Sequence, residues 1–287
     1  METLEIVDPI LDGNMPKSSE GNRKIIIIII ILIAILLFII TGVIFFFLFR
    51  NNGSEEDTPF DKIVKEDSEI HLIPKSGKYD YILIFMHGLL GSPNDFLNIF
   101  NKKDGPIPDT FKIILPCAPF AYVTRLGFNT TSWFDLLGEN NAVITEKDIV
   151  FKDMDENSKR IKQLIVDEAK AINNDYRKVF VGGFSQGACM TFHIGLSFNH
   201  TLGGIIPFCG IPVSNTSIYE NREDLNIFSI LGGKDIYFPL ENATKQIETI
   251  LADFHNLSIN VYENEEHTVS AAELKDVKKY IKNMTQI

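Results

Sequence analysis

From Phe60 to the C-terminus the chain alternates between two periodicities, and that alternation restricts its fold more than any other feature. Six short stretches, "YDYILIFMHG", "FKIILPCAP", "KVFVGGFS", "GGIIPFCG", "LNIFSILGG" and "LSINVYE", each carry a β-branched or aromatic run that ends in Gly, Pro or a polar residue. Runs of this kind read as buried strands. Between them lie helical patterns. Ile161, Leu164, Ile165 and Ala169 share one face of "DMDENSKRIKQLIVDEAKAINND", and Ala243, Ile247, Ile250 and Leu251 share one face of "LENATKQIETILADFH". Strands that alternate with helices predict an α/β fold built on a mostly parallel, doubly wound sheet.

Composition narrows the function classes. The chain has 287 residues and is 45% hydrophobic, enough for one large α/β domain and too much for a disordered protein. Its formal net charge is −11 and its basic residues are scattered, so there is no electrostatic footprint for nucleic acid. Cys117, Cys189 and Cys209 are too few and too widely spaced for a zinc site or a disulfide framework. Each lies in an apolar run and reads as a buried, reduced thiol.

The stretch from Ile25 to Phe49 is an uncharged run of 25 residues, which as a helix spans roughly 37 Å. It is longer than a cleavable signal core and lacks a small-residue cleavage site, so it reads as a permanent transmembrane signal anchor. The expected organisation is a disordered tail over 1–24, a transmembrane helix over 25–49, a charged tether over 50–59 and one α/β domain over 60–287. Positive charge leaves the orientation balanced, with Lys17, Arg23 and Lys24 on one flank and Arg50, Lys62 and Lys65 on the other. The acceptor pattern NxS/T occurs seven times, at Asn52, Asn129, Asn199, Asn215, Asn242, Asn256 and Asn283, where composition predicts roughly two. That excess leads us to expect a glycosylated domain in a lumenal or extracellular setting. The three unpaired cysteines pull the other way, towards a reducing compartment.

"KVFVGGFSQGACM" carries the chemistry. An apolar strand runs through Gly182, Gly183 and Phe184 into Ser185, and Gly187 opens a helical pattern. The pattern GxSxG at a strand–turn–helix junction is a nucleophile elbow: residues without a Cβ let a strained turn close and present the hydroxyl. A serine hydroxyl needs a base, and the base needs an acid to fix its tautomer. In this arrangement acid and histidine follow the serine in that order. His71 and His87 precede it, His193 lies in the helix leaving the elbow with its side chain along the helix surface, His200 lies near that helix's end, and His255 ends an amphipathic helix. His267 alone lies on a loop after a strand and before the last helix, at the edge where open α/β sheets hold their ligands. Asp235, in "FSILGGKDIYFP", follows a strand by a glycine turn and emerges on the same edge; Glu220, Glu223 and Asp224 precede that strand. For the oxyanion, the backbone amides of Gln186 and of Leu89, in "FMHGLLGSPNDF", are the expected donors. His87 reads as an organiser of that loop.

"HGLLG", "LPCAPFAYV", "SWFD", "GGFSQGA", "GGKDIYFP" and "HTVSAAELKDVKKYI" occur together in an order that resembles the acyl-protein thioesterase, lysophospholipase and carboxylesterase family of α/β hydrolases. The resemblance covers about Leu72 to Ile281. It implies an α/β-hydrolase fold, a Ser185–Asp235–His267 triad with Leu89 and Gln186 as oxyanion donors, and acylated proteins, lysophospholipids or other acyl esters as substrates. It implies no metal and no organic cofactor. It also sets Trp133 and Phe134 beside an acyl channel, as substrate-binding residues, with Asp135 anchoring their loop. This chain departs from the family pattern where "ENEE" precedes the histidine in place of Gly and a hydrophobic residue, and in "HGLLGSPNDF", where the family usually has Gly-Asp after the first leucine. Two alternatives stand beside the acyl hydrolase: a carboxylesterase for small esters, and a non-catalytic receptor or adhesion domain on a hydrolase fold.

Overall fold

The computed structural model describes residues 58–140 and 142–286. The expected tail, transmembrane helix and most of the tether lie outside the described residues. Among the described residues no helix is long and apolar enough to cross a membrane.

The described residues form ten strands: β1 (Phe60–Val64), β2 (Ile70–Pro74), β3 (Tyr81–Met86), β4 (Phe111–Leu115), β5 (Phe120–Val123), β6 (Phe128–Thr131), β7 (Val179–Phe184), β8 (Gly204–Phe208), β9 (Ile227–Gly232) and β10 (Leu257–Tyr262). Eight of them make one sheet in the order β1-β2-β4-β3-β7-β8-β9-β10. The six strands expected from sequence are its parallel part, β4 through β10. β1 and β2 extend it antiparallel, and β5 pairs with β6 as a separate hairpin.

The helices are α1 (Asn94–Phe100), α2 (Phe151–Ala169), α3 (Gln186–Ser197), α4 (Leu240–Ile250) and α5 (Ala271–Thr285). The central strands β4, β3, β7, β8 and β9 are buried on both faces, which is why they read as continuous apolar runs. Along β3, Ile82, Ile84 and Met86 join a core shared with Val181 of β7, Met190 and Phe192 of α3, and Ile161 and Ile165 of α2. The intervening Phe85 points to the other face, its ring centroid 4.7 Å from Phe96 and 5.0 Å from Phe100 of α1. α3 is buried from Gln186 to Leu196, so it is a core helix without a solvent face. His193 therefore lies inside the protein, 2% exposed, and not along a helix surface. This architecture brings the ends of β7, β8, β9 and β10 to one edge, where Ser185, Cys209, Asp235 and His267 follow them.

Candidate active site

Ser185 sits between β7 and α3 with φ 58° and ψ −116°, a conformation that costs a residue with a Cβ free energy and is held only by its surroundings. The surroundings are tight. A Cβ on Gly183 would overlap the backbone of Gly187, and one on Gly187 would overlap the Met86 carbonyl. The Ser185 amide donates to Phe208 O at 2.9 Å, which fixes the elbow to β8. The two glycines are thus dictated by backbone contact, and the strain points Ser185 Oγ out of the turn.

His267 arrives on the loop between β10 and α5, and Asp235 on the turn after β9. His267 Nε2 lies 2.9 Å from Ser185 Oγ, and His267 Nδ1 lies 2.7 Å from Asp235 Oδ2. The second carboxylate oxygen, Asp235 Oδ1, accepts from the amides of Tyr237 (2.8 Å) and Phe238 (2.9 Å). Asp235 is 5% exposed and Ser185 9%. With Asp235 accepting at Nδ1, the imidazole carries its proton there and leaves the Nε2 lone pair facing the serine hydroxyl. Phe184, Tyr237 and Phe238 surround the ring at centroid distances of 4.8, 5.0 and 5.8 Å. They pack against the base, whose side chain stays partly exposed, and burial pushes the Tyr237 hydroxyl pKa up.

The acid loop and the base loop are joined through their backbones. Gly233 N donates to Tyr262 O at 2.8 Å and Lys234 N to Glu265 O at 2.8 Å. A side chain on Gly232 or Gly233 would strike the backbone of Glu266, Glu265 or Glu263. "GGKD" is therefore more than a turn: it is the surface on which "ENEE" rests. α5 then begins with a capping box in which Ser270 N donates to Glu273 Oε2 at 2.6 Å.

Gly88 brings the expected oxyanion loop against the nucleophile, since a Cβ there would lie 3.2 Å from Ser185 Cβ. Among the described residues, neither the Leu89 nor the Gln186 amide donates to a protein acceptor. Both are available to an oxyanion. His87 organises this loop: its Nδ1 donates to Gly88 O at 2.7 Å and its Nε2 accepts from Ala118 N at 3.0 Å. Burial lowers its pKa and keeps it neutral, as that bonding requires.

One role of Gln186 was not visible in the sequence. Its Oε1 accepts from Trp133 N at 3.0 Å, its Nε2 donates to Phe134 O at 2.8 Å, and Ser132 Oγ lies 3.1 Å from each. The residue after the nucleophile thus clamps the "SWFD" loop with its side chain. Trp133 Nε1 in turn donates to His87 O at 2.8 Å, which closes a network through all three loops. Trp133 and Phe134 are 0% and 2% exposed. Both side chains are buried, and their loop is held by the side chain of the nucleophile's neighbour. Asp135 anchors the loop, accepting from Thr124 N and Thr124 Oγ1 at 2.6 Å each.

The other histidines are engaged elsewhere. His71 bonds Glu69 at 2.6 Å, His193 bonds Thr216 Oγ1 at 3.0 Å, His200 stacks on Tyr176 at 4.0 Å and His255 meets Asp224 at 3.0 Å. Cys117, Cys189 and Cys209 are free thiols. Burial pushes the Cys189 thiol up to about 12. Cys209 lies beside the site: its thiol, an Asp235 oxygen and a His267 ring nitrogen are all within 4.8 Å of one another. Nothing in the sequence spacing of these three residues announces that proximity.

A hydroxyl, imidazole and carboxylate in hydrogen-bonded series, at the C-terminal edge of this sheet and in this chain order, define an α/β-hydrolase of the serine hydrolase class. The chain matches the phospholipase/carboxylesterase family over residues 68–285. It belongs to that family, and it is a serine hydrolase acting on esters or thioesters. Among its relatives, acyl-protein thioesterase 1 of Candida albicans is 31% identical over 221 residues, 71% of this chain and 92% of that one. Acyl-protein thioesterase 1 of Eremothecium gossypii is 28% identical over 222 residues, 74% and 92% of the two chains. The crystal structure of Zea mays acyl-protein thioesterase 2 superposes with a TM-score of 0.63 at 20% identity, covering 75% of this chain and 98% of that one, a likeness of fold.

Proposed function

We propose that this protein cleaves acyl thioesters or esters, of the acyl-protein thioesterase or lysophospholipase type, through an acyl-enzyme on Ser185. The observation that carries the reading is the unbroken chain Ser185 Oγ, His267 Nε2, His267 Nδ1, Asp235 Oδ2, with links of 2.9 and 2.7 Å. In the first half-reaction Ser185 Oγ attacks the acyl carbonyl while its proton passes to His267 Nε2. The Asp235 carboxylate stabilises the imidazolium that forms. Negative charge on the carbonyl oxygen is met by the amides of Leu89 and Gln186, donors of a kind whose single loss lowers kcat about 100- to 1000-fold. Collapse of the tetrahedral species expels the thiolate or alkoxide, which takes the proton from His267. Water then attacks the acyl-Ser185 ester with the same histidine as base, and the acid leaves.

Trp133 and Phe134 act in this scheme as anchors of the loop and not as walls of the acyl site. That burial favours a second reading, a carboxylesterase for short acyl esters. Turnover of S-acyl peptides and oxygen esters across short and long acyl chains separates the two: long-chain thioesters should give the highest kcat/KM, and a steep preference for the shortest acyl group would install the second reading. No turnover of either, with no labelling by a fluorophosphonate, would return the chain to the binding-domain alternative.

We further propose that residues 25–49 anchor the chain in a membrane and that the hydrolase domain faces a glycosylating lumen or the exterior. The support is the sequon excess, together with exposure of all six acceptors among the described residues, Asn129, Asn199, Asn215, Asn242, Asn256 and Asn283. Substrates are then acyl esters on that side of the bilayer. Glycosidase and protease treatment of intact membranes tests this; an unglycosylated domain digested from the cytosolic face reverses it and makes cytosolic S-acylated proteins the substrates.

A further inference from the structure

Beside the acid and base of the triad lies a thiol that the hydrolytic reaction does not use. Cys209 follows β8 with φ 52°, a left-handed value for a residue with a side chain. Its amide is tied to Ile230 O at 2.8 Å. Its thiol donates to Thr268 O at 3.6 Å, so it rests on the loop that carries the histidine. One thiol, one imidazole nitrogen and one carboxylate oxygen then lie within 4.8 Å of one another. Sulfur, nitrogen and oxygen together are the ligand types that zinc accepts.

We propose that Cys209, Asp235 and His267 form an inhibitory site for a thiophilic divalent cation of the zinc class. An ion bonded at about 2.0–2.3 Å to each donor needs its ligands about 3.3–3.6 Å apart. The His267–Asp235 pair, now at 2.7 Å, must open by less than about 1 Å, and the thiol must close by about 1 Å. Rotation of two side chains supplies both. The Thr268 carbonyl or a water completes four-coordination.

The consequence follows from the tautomer. Binding forms a metal–sulfur bond and sends the thiol proton to solvent, while the imidazole's single proton moves from Nδ1 to Nε2 to free Nδ1 for the metal. Nε2 then has no lone pair for the proton of Ser185, and the serine is not activated. The bound ion withdraws the base and leaves the acyl site unoccupied, so it lowers kcat and leaves KM unchanged. A sulfur ligand favours ions that seek sulfur over hard ions such as magnesium.

The inference rests on the triad reading, and its test is chosen to fail separately from that reading. Full-length protein in detergent is titrated with zinc chloride while it hydrolyses a chromogenic ester. We expect loss of kcat reversed by a chelator, and at least a tenfold rise in the half-inhibitory zinc concentration for Cys209→Ala, each variant normalised to its own uninhibited rate. Cys117→Ala should keep the parental sensitivity, which separates this site from general thiol chemistry. Cobalt chloride gives a second readout that needs no turnover: a sulfur-to-cobalt charge-transfer band in the parent, lost in Cys209→Ser. Equal zinc sensitivity of Cys209→Ala and the parent, or absence of the cobalt band in the parent, overturns the proposal even if the ester is turned over.

Discussion

Glu273 is 0% exposed and stands at the third position of α5, where its carboxylate caps the helix that follows the His267 loop. One oxygen accepts from Ser270 N, while the other, Oε1, has no partner. Burial, with Glu265 adding to it, raises its pKa from 4.5 to about 7. The folded state therefore holds this proton more tightly than the unfolded state does. Between pH 4.5 and about 7 the native chain carries more protons, so stability falls as pH rises through that window, and above it the full penalty is present. A difference of about 2.5 units corresponds to about 3 kcal/mol. Glu273→Gln keeps an oxygen for Ser270 N and cannot ionise. Its amide nitrogen inherits the unpartnered position, a cost of about 1–2 kcal/mol that does not vary with pH. Urea unfolding of the parent and the variant at pH 4, 6 and 8 should thus give a stability difference that moves by about 3 kcal/mol in the variant's favour from the acid to the alkaline end. A difference that stays constant with pH would refute the argument, because only the titration of a buried carboxylate produces the drift.

Four other outcomes follow from the same geometry. Ser185→Ala and His267→Ala should each abolish turnover without unfolding the domain, and the double variant should be little slower than either in single-turnover assays, since the triad acts as a unit. Gln186→Met removes the acceptor of the buried Trp133 amide and should cost about 2–4 kcal/mol of stability, measured by urea titration, together with a fall in kcat as the oxyanion loop loosens. Gly187→Ala drives a Cβ into the Met86 carbonyl and should leave no active protein, judged by probe labelling of the soluble fraction. His193, which burial lowers to about 4, binds its proton more weakly folded than unfolded. Stability should fall as pH drops from about 6.5 to 4, by about 3 kcal/mol, and His193→Gln should flatten that part of the acid unfolding curve.

How much of this was legible depends on what kind of force sets each feature. β3, β4, β7, β8 and β9 could be read because strands buried on two faces leave unbroken apolar runs, and β10, a partly exposed edge strand, from its β-branched and aromatic residues. β1 could not: four of its five residues are not buried, and an edge strand rich in charge leaves no alternation to detect. The β5–β6 hairpin carries Phe120 and Tyr122 exposed, so its aromatic residues report no core. The positions of Ser185, Asp235 and His267 were readable because topology delivers them: each follows a parallel strand, and such strands end at one edge. Trp133 and Phe134 show the limit. An aromatic pair has the same sequence signature whether it lines a channel or packs under a loop, and the Gln186 clamp on that loop leaves no mark in the sequence. The juxtaposition of Cys209 with the triad is likewise a product of strand order, for β8 lies between the strands that carry the nucleophile and the acid.

The central claim, that Ser185 is the nucleophile driven by His267, is tested most directly by intact and peptide mass spectrometry after reaction with a fluorophosphonate. The account predicts one adduct per chain, mapped to Ser185, absent in Ser185→Ala and strongly reduced in His267→Ala. An adduct on any other serine, or full labelling of Ser185 in His267→Ala, would contradict it.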